Sequence, residues 1–338
     1  MKKALLYKKK PDNKVKCQLC NHHCLILPKK RGLCGVRENR EGELYSLVYG
    51  KAISENIDPI EKKPFFHFLP GTLALSFGTL GCNFRCANCQ NWQISQAPRL
   101  NKEIFGQDLP PKKIVQEALE NDCQSIAYTY TEPTIFFEYA LETMKLAHNK
   151  GLKNVFVSNG FMTKDCLKIA KPFLDAINID LKFFDNNKYK KYCHGKPEPI
   201  LENLKTIKKM GLWLEITTLA IPTLSDQKEM FEKIADFIKT ELGEETPWHI
   251  SRFSGAISHK LDHLPDTPLK TLYQAYDIAQ KKGLKYVYLG NVPGDKFENT
   301  YCPKCGSLII ERIGYNIKRY DKKGQCPKCQ QKINLINK

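Results

Sequence analysis

The sequence predicts an α/β fold built on parallel strands, with a separate cysteine-bearing module at each end. Three observations carry this. Short apolar runs alternate with amphipathic stretches from residue 72 to residue 293, and such alternation implies parallel strands joined by helical crossovers. Eleven of the 14 cysteines fall into three groups with metal-ligand spacing. The outer two groups lie outside the alternating region, so the chain divides into residues 1–70, 72–293 and 300–338.

In chain order, the first region carries Cys17-x2-Cys20-x3-Cys24-x9-Cys34, with His22 and His23 as further possible ligands. Zinc fits this four-ligand arithmetic, and an auxiliary iron–sulfur cluster is the alternative occupant. A linking arm follows. The middle region has apolar runs at Leu73–Leu80, Ser125–Thr129, Asn154–Ser158, Ala176–Leu181, Trp213–Ile221, Trp248–Phe253 and Tyr286–Leu289. Between them, Ile114, Val115, Ala118 and Leu119 share a helical face. So do Phe137, Leu141, Met144 and Ala147, then Leu201, Leu204, Ile207 and Met210, then Met230, Ile234, Phe237 and Ile238. These spacings match a period of 3.6 residues. Periodicity alone allows an open doubly wound sheet or a barrel. The last region repeats a knuckle, Cys302-Pro-Lys-Cys305 and Cys326-Pro-Lys-Cys329, in the pattern of a zinc ribbon with four thiolates on one ion. So short a segment buries little core, so metal is expected to hold it folded.

The most informative motif is Gly81-Cys82-Asn-Phe-Arg-Cys86-Ala-Asn-Cys89-Gln-Asn-Trp92. The spacing is C-x3-C-x2-C with no fourth cysteine close by. A closed zinc site wants four protein ligands. Three thiolates instead suit a [4Fe–4S] cluster with one iron left open to a small molecule. The motif follows the first apolar run, and sites in parallel α/β folds form at the carboxyl ends of strands. Residues at the later strand ends therefore become candidates: Glu132 in Tyr130-Thr-Glu-Pro133, Ser158 and Asn159 before Gly160, Asp180 and Lys182 in Asp-Leu-Lys, Glu215 and Thr217, and His249. Asp180 and Lys182 lie two residues apart, on one face of a strand, and such charges inside an apolar run are costly unless paired. The lone cysteines Cys123, Cys166 and Cys193 read mainly as packing residues; for Cys193, in Tyr192-Cys-His194, a catalytic place facing the same cavity is the alternative reading.

The three-cysteine motif resembles that of the radical S-adenosylmethionine (SAM) superfamily. The resemblance implies a partial (β/α)6 barrel over residues 72–293, a [4Fe–4S] cluster on Cys82, Cys86 and Cys89, and SAM on the open iron. One electron from an external reductant would then cleave SAM to a 5′-deoxyadenosyl radical. It implies that Glu132 meets the SAM amino group and Lys182 its carboxylate, with Ser158, Asn159, Asp180 and His249 around it. The Ser-Asn-Gly and Asp-Leu-Lys segments resemble those of pyruvate formate-lyase activating enzymes. The superfamily usually has an aromatic residue before the third cysteine, to meet the adenine. Here that residue is Asn88, and Phe84 and Trp92 are the aromatic alternatives. The front module ending in Gly32-Leu-Cys34-Gly-Val-Arg37-Glu-Asn39, together with Asp58–Pro64, His67–Gly71 and the final ribbon, resembles the radical SAM enzyme of the AmmeMemoRadiSam system. That implies association with AMMECR-like and Memo-like proteins, and names no substrate.

Composition bounds the rest. The chain has 338 residues, 42% hydrophobic, enough for a sizeable core. The first ten residues hold an apolar stretch too short for a signal-peptide core, and no segment approaches a membrane span. A cytoplasmic enzyme without membrane attachment is expected. Grouped cysteines in such a protein favour metal over disulfides. The net charge of +17 is concentrated at the two ends. It suits nucleic acid or an acidic partner, and solubilising charge explains it as well. Three substrate classes follow: a glycine of a partner enzyme, tRNA or another nucleic acid, and a small metabolite. A non-catalytic iron–sulfur and zinc scaffold is the remaining reading, disfavoured by the charged strand ends.

Overall fold

The computed structural model describes every residue except Lys102 and Lys338. Its centre is an eight-stranded sheet whose strands lie side by side in chain order. They are β1 (Ser54–Pro59), β2 (Leu73–Gly78), β3 (Ser125–Tyr128), β4 (Lys153–Ser158), β5 (Ala176–Asp180), β6 (Trp213–Ala220), β7 (Trp248–Arg252) and β8 (Val287–Gly290). Strands β2 to β8 are parallel to their neighbours. Strand β1 runs antiparallel along β2, and β1 and β8 form the two edges. There are thus seven parallel strands where the resemblance implies six; the seventh is the apolar run that ends in β8.

Eight helices are described: α1 (Trp92–Leu100), α2 (Pro111–Glu120), α3 (Phe137–Asn149), α4 (Lys164–Ala170), α5 (Asn186–Cys193), α6 (Glu198–Lys209), α7 (Lys228–Phe237) and α8 (Leu269–Lys281). Their starts follow local chemistry. Pro111 opens α2, where a missing N–H costs nothing. Thr163 and Asp185 cap α4 and α5 by accepting from the N–H groups of Cys166 and Lys188. The anticipated faces of α3 and α7 are turned inward at Phe137, Leu141, Met144 and Ala147 and at Met230 and Ile234. Leu119 is the exception: it is 43% exposed at the edge of the α2 stripe, while Ile114, Val115 and Ala118 are buried.

The linking arm closes one side of the sheet. Ile60, Phe65, Phe68 and Leu69 pack with Ala74, Ala127, Val155 and Ala176 on β2 to β5. Small side chains on the strands leave room for the aromatic ones of the arm. Glu215 on β6, fully buried, accepts hydrogen bonds from the N–H groups of Phe66, His67 and Phe68 at 3.0, 3.0 and 3.2 Å. It also accepts from Trp213 Nε1 at 3.0 Å and lies 2.7 Å from His249 Nε2. Burial works to raise its pKa, and the surrounding donors, His249 first, bring it below the ordinary carboxylate value.

The C-terminal segment packs beneath this arm. Thr300–Tyr301, Leu308–Ile313 and Asn316–Arg319 form a three-stranded antiparallel sheet. Ile309, Ile310, Ile333, Cys302 and Cys326 bury against Phe66, Tyr286 and Tyr288. Arg312 donates to the Phe66 carbonyl at 2.7 Å, with its guanidinium 4.2 Å from the Phe66 ring centre. His67 bridges the Asn334 carbonyl at 2.6 Å and the Tyr288 hydroxyl at 2.5 Å.

The front module has two small antiparallel sheets. Arg37 joins it to α3 by a buried two-pronged ion pair with Glu138, both contacts at 2.9 Å. Asn21 donates to the carbonyls of Phe161 and Met162, just beyond β4. Among the described residues no helix is long and apolar enough to cross a membrane.

Candidate active site

The loop that leaves β2 carries Cys82, Cys86 and Cys89 at the carboxyl end of the sheet, and α1 follows it. Gly81 sits at φ +97°, and a Cβ there would fall 2.7 Å from a Val36 methyl and 2.9 Å from the Cys34 carbonyl. Only glycine lets this loop lie so close on the front module. Arg99 on α1 reaches back and donates to the carbonyls of Leu33 at 2.6 Å and Phe84 at 3.2 Å, and also to that of Cys82.

Phe84 anchors the loop from below. It is 1% exposed and packs on Phe161 and Tyr189, with ring centres 5.0 and 6.3 Å away. A Cβ on Gly195 would stand 2.5 Å from its ring. Phe84 is therefore a buried wedge and not the aromatic cover considered from the sequence. Trp92, the other aromatic considered, stacks on His259 with centres 4.8 Å apart. The Asn88 Oδ1 is buried without a partner among the described residues.

Two of the three thiols, Cys82 and Cys89, have neighbouring donors suited to anionic sulfur. Cys82 Sγ accepts from the Phe84 N–H at 3.4 Å and stands 4.0 Å from Asn159 Nδ2. Cys89 Sγ lies 3.4 Å from the Ser95 hydroxyl. Cys86 is pushed up by its hydrogen bond with Cys193 and then by burial; burial does the same to Cys82 and Cys89. Thiols so raised stay protonated until a metal displaces the proton. This donor set fits the [4Fe–4S] group. Cys193 is fully buried against Cys86.

Glu132 is 1% exposed. Its Oε1 accepts from the Thr134 N–H at 3.1 Å, the Thr134 hydroxyl at 2.5 Å and the Ser158 hydroxyl at 2.8 Å. Its Oε2 accepts from the Asn159 N–H at 2.9 Å. Burial still leaves its pKa raised. Asn159 Nδ2 then donates to Asn83 Oδ1 at 2.7 Å. The ends of β3 and β4 are thereby tied to the cysteine loop.

On β5 and just beyond it, Lys182 donates to Asp180 at 2.8 Å. Both are partly open, at 17% and 34% of the side chain. Burial disfavours the lysine charge, but the Asp180 carboxylate and the nearby Cys86 outweigh it and raise its pKa. Cys86, Asp180 and Lys182 thus share one electrostatic neighbourhood. His249 is held elsewhere. Its Nε2 is on Glu215 and its ring packs on Phe66 and Tyr288, at 4.7 and 5.3 Å between centres. It belongs with the arm and not with the Asp180–Lys182 pair.

The two outer cysteine groups differ from each other. Cys302, Cys305, Cys326 and Cys329 have all four sulfurs within 4.8 Å, with Cys302–Cys329 at 3.5 Å and Cys305–Cys326 at 3.6 Å. They could hold a single metal ion. Cys17, Cys20, Cys24 and Cys34 instead line a cavity together with His22, Arg37 and Asn83. His23 is absent from that lining. Arg37, Asn83 and Arg99 are the site residues missed in the sequence. Asn83 lies inside the motif, next to Cys82, so its position was the available signal. The two arginines act across chain distances that no local pattern encodes.

The sequence profile of the Radical SAM superfamily matches residues 77–238. An uncharacterized protein of Methanocaldococcus jannaschii is 46% identical over 99% of this chain and 100% of its own length. A pyruvate formate-lyase-activating enzyme of Staphylococcus epidermidis is 25% identical over 66% of this chain and 92% of its own. Among solved structures, Streptococcus suis SuiB bound to precursor peptide SuiA aligns with a TM-score of 0.51 at 13% identity. The alignment covers 70% of this chain and about half, 52%, of that one.

Proposed function

We propose that this protein, which belongs to the radical SAM superfamily, is an enzyme that takes hydrogen from a C–H bond of a partner protein after one-electron cleavage of SAM. The observation that carries this reading is the meeting of Cys82, Cys86 and Cys89 with the Asp180–Lys182 pair at the carboxyl end of one parallel sheet. When bound, a [4Fe–4S] cluster with one open iron supplies the electron that breaks the SAM sulfonium and leaves a 5′-deoxyadenosyl radical. The three cysteines would hold that cluster. Lys182, kept charged by Asp180, would pair with the SAM carboxylate. Glu132 would face the SAM amino group through Oε2, which has one donor where Oε1 has three. Ser158 and Asn159 fix its orientation.

A partner protein is preferred over the other substrate classes because curated relatives include pyruvate formate-lyase-activating enzymes and because Ser158-Asn159-Gly160 and Asp180-Leu-Lys182 resemble theirs. The front module, Asp58–Pro64 and the final ribbon favour placement in the AmmeMemoRadiSam group, with AMMECR-like and Memo-like proteins as associates. Zinc is the proposed occupant of Cys302, Cys305, Cys326 and Cys329, and the cytoplasm the proposed compartment. The ribbon's packing on the arm through Arg312 and Phe66 favours a bracing role over docking of nucleic acid.

The test is anaerobic reconstitution followed by a low-potential reductant and SAM. Wild-type protein should release 5′-deoxyadenosine and Cys82→Ala should release none. Equal release from the variant would contradict the assignment.

A further inference from the structure

We propose that Cys17, Cys20, Cys24 and Cys34 hold a second iron–sulfur cluster, which passes electrons to the site at Cys82, Cys86 and Cys89. The two cysteine quartets of this chain provide an internal comparison. The C-terminal four close to mutual sulfur distances within 4.8 Å, the spacing of ligands around one ion. The front four surround a cavity. A cubic cluster is wider than one ion and keeps its ligands further apart, so a cavity between four thiols suits it.

The walls agree with that occupant. Leu19, Ile26, Leu33 and Ile135 make the cavity apolar. Two N–H donors in its lining residues have no partner among the described residues: Arg37 Nε and Asn83 Nδ2. Each side chain is 2% exposed. A buried donor left unmade is costly, and cluster sulfurs are acceptors whose hydrogen bonds help set the reduction potential. Four protein ligands leave no open iron, so this cluster would carry electrons and not bind substrate.

The location supplies the role. Asn83 directly follows Cys82, and its carbonyl lies 2.9 Å from His22 Nε2, which is on the cavity wall. Gly81 lies against the Cys34 carbonyl. One continuous set of bonded and packed groups therefore joins the two sites. A low-potential one-electron donor would reduce the front cluster. That cluster returns to its oxidised state by giving the same electron to the second site, so each turnover moves one electron and no atoms. This relay rests on the function proposed above; the metal assignment does not.

Metal content tests it. In reconstituted wild-type protein, two clusters give about eight irons and eight acid-labile sulfides with one zinc. A zinc front site gives about four irons with two zincs and overturns the proposal. In the triple variant Cys82→Ala/Cys86→Ala/Cys89→Ala, about four irons and sulfides should remain. Its reduced electron paramagnetic resonance (EPR) signal should be indifferent to SAM. A triple variant with zinc and no sulfide also overturns the proposal. Adding Asn83→Leu to the triple variant should lower the cluster's potential, and an unchanged potential would remove Asn83 from the site. If the triple variant keeps its iron and sulfide while wild-type protein forms no 5′-deoxyadenosine, the second cluster stands and the catalytic reading fails.

Discussion

At the scale of single residues, the site rests on charges that the fold has already paired. Lys182 and Asp180 lie two positions apart at the end of β5, at 2.8 Å, and partly open. Their spacing was legible in the sequence because two charges in an apolar run need a reason. Lys182→Met removes the cation while keeping most of the stem. It should weaken SAM binding to reconstituted protein by about tenfold or more, since hydrogen bonds to charged groups are worth about 1.5–3 kcal/mol. Equilibrium binding measures this, and an unchanged Kd would place SAM elsewhere. Glu132, Ser158 and Asn159 were legible as site residues, but the bonds between them were not: Thr134 lies in Glu132's own turn, while Ser158 and Asn159 reach it from the end of the next strand. His249 misled because a histidine on a strand of a parallel sheet reads the same whether it faces a ligand or a buried carboxylate. Glu215, 2.7 Å away, decides it.

At the scale of elements, the parallel strands were readable from alternation, and the helices from their period. The arm was not. Phe65, Phe66 and Phe68 follow no strand or helix rhythm; Phe65 and Phe68 pack on strands as far along the chain as β5, and Phe66 on Tyr286, Tyr288 and the C-terminal segment. The docking of the front module on α3 was equally hidden. It turns on Arg37 and Glu138, 2% and 3% exposed. Arg37→Leu should strand the Glu138 carboxylate in the interior and cost about 3–5 kcal/mol. The double variant Arg37→Leu/Glu138→Leu should recover most of that loss. Urea denaturation separates the outcomes, and two equal losses would mean that packing matters there more than charge.

At the scale of the whole molecule, the two ends of the chain brace opposite parts of the sheet. The front module supports the cysteine loop, while the C-terminal segment and arm meet around His67. Burial holds His67 down to about 4, against 6.5 for the ordinary side chain. The unfolded chain therefore takes up this proton first as the pH falls. The contribution is complete above pH 6.5, falls away between 6.5 and about 4, and changes no further below. The full difference is about 3 kcal/mol. Unfolding free energy measured at steps across this range should fall more steeply for wild-type protein than for His67→Gln. Identical slopes would show that another group carries the acid sensitivity. The basic ends were plain from composition, but their packing was not, because charge alone does not say which face a module presents.

The central claim is an iron left open for SAM by three-thiol ligation. The most direct measurement is the EPR spectrum of the reduced, reconstituted protein with and without SAM. The account predicts that one component of the spectrum changes on adding SAM, and that this component is absent from Cys82→Ala. A spectrum indifferent to SAM, in protein carrying iron and sulfide at Cys82, Cys86 and Cys89, would contradict it.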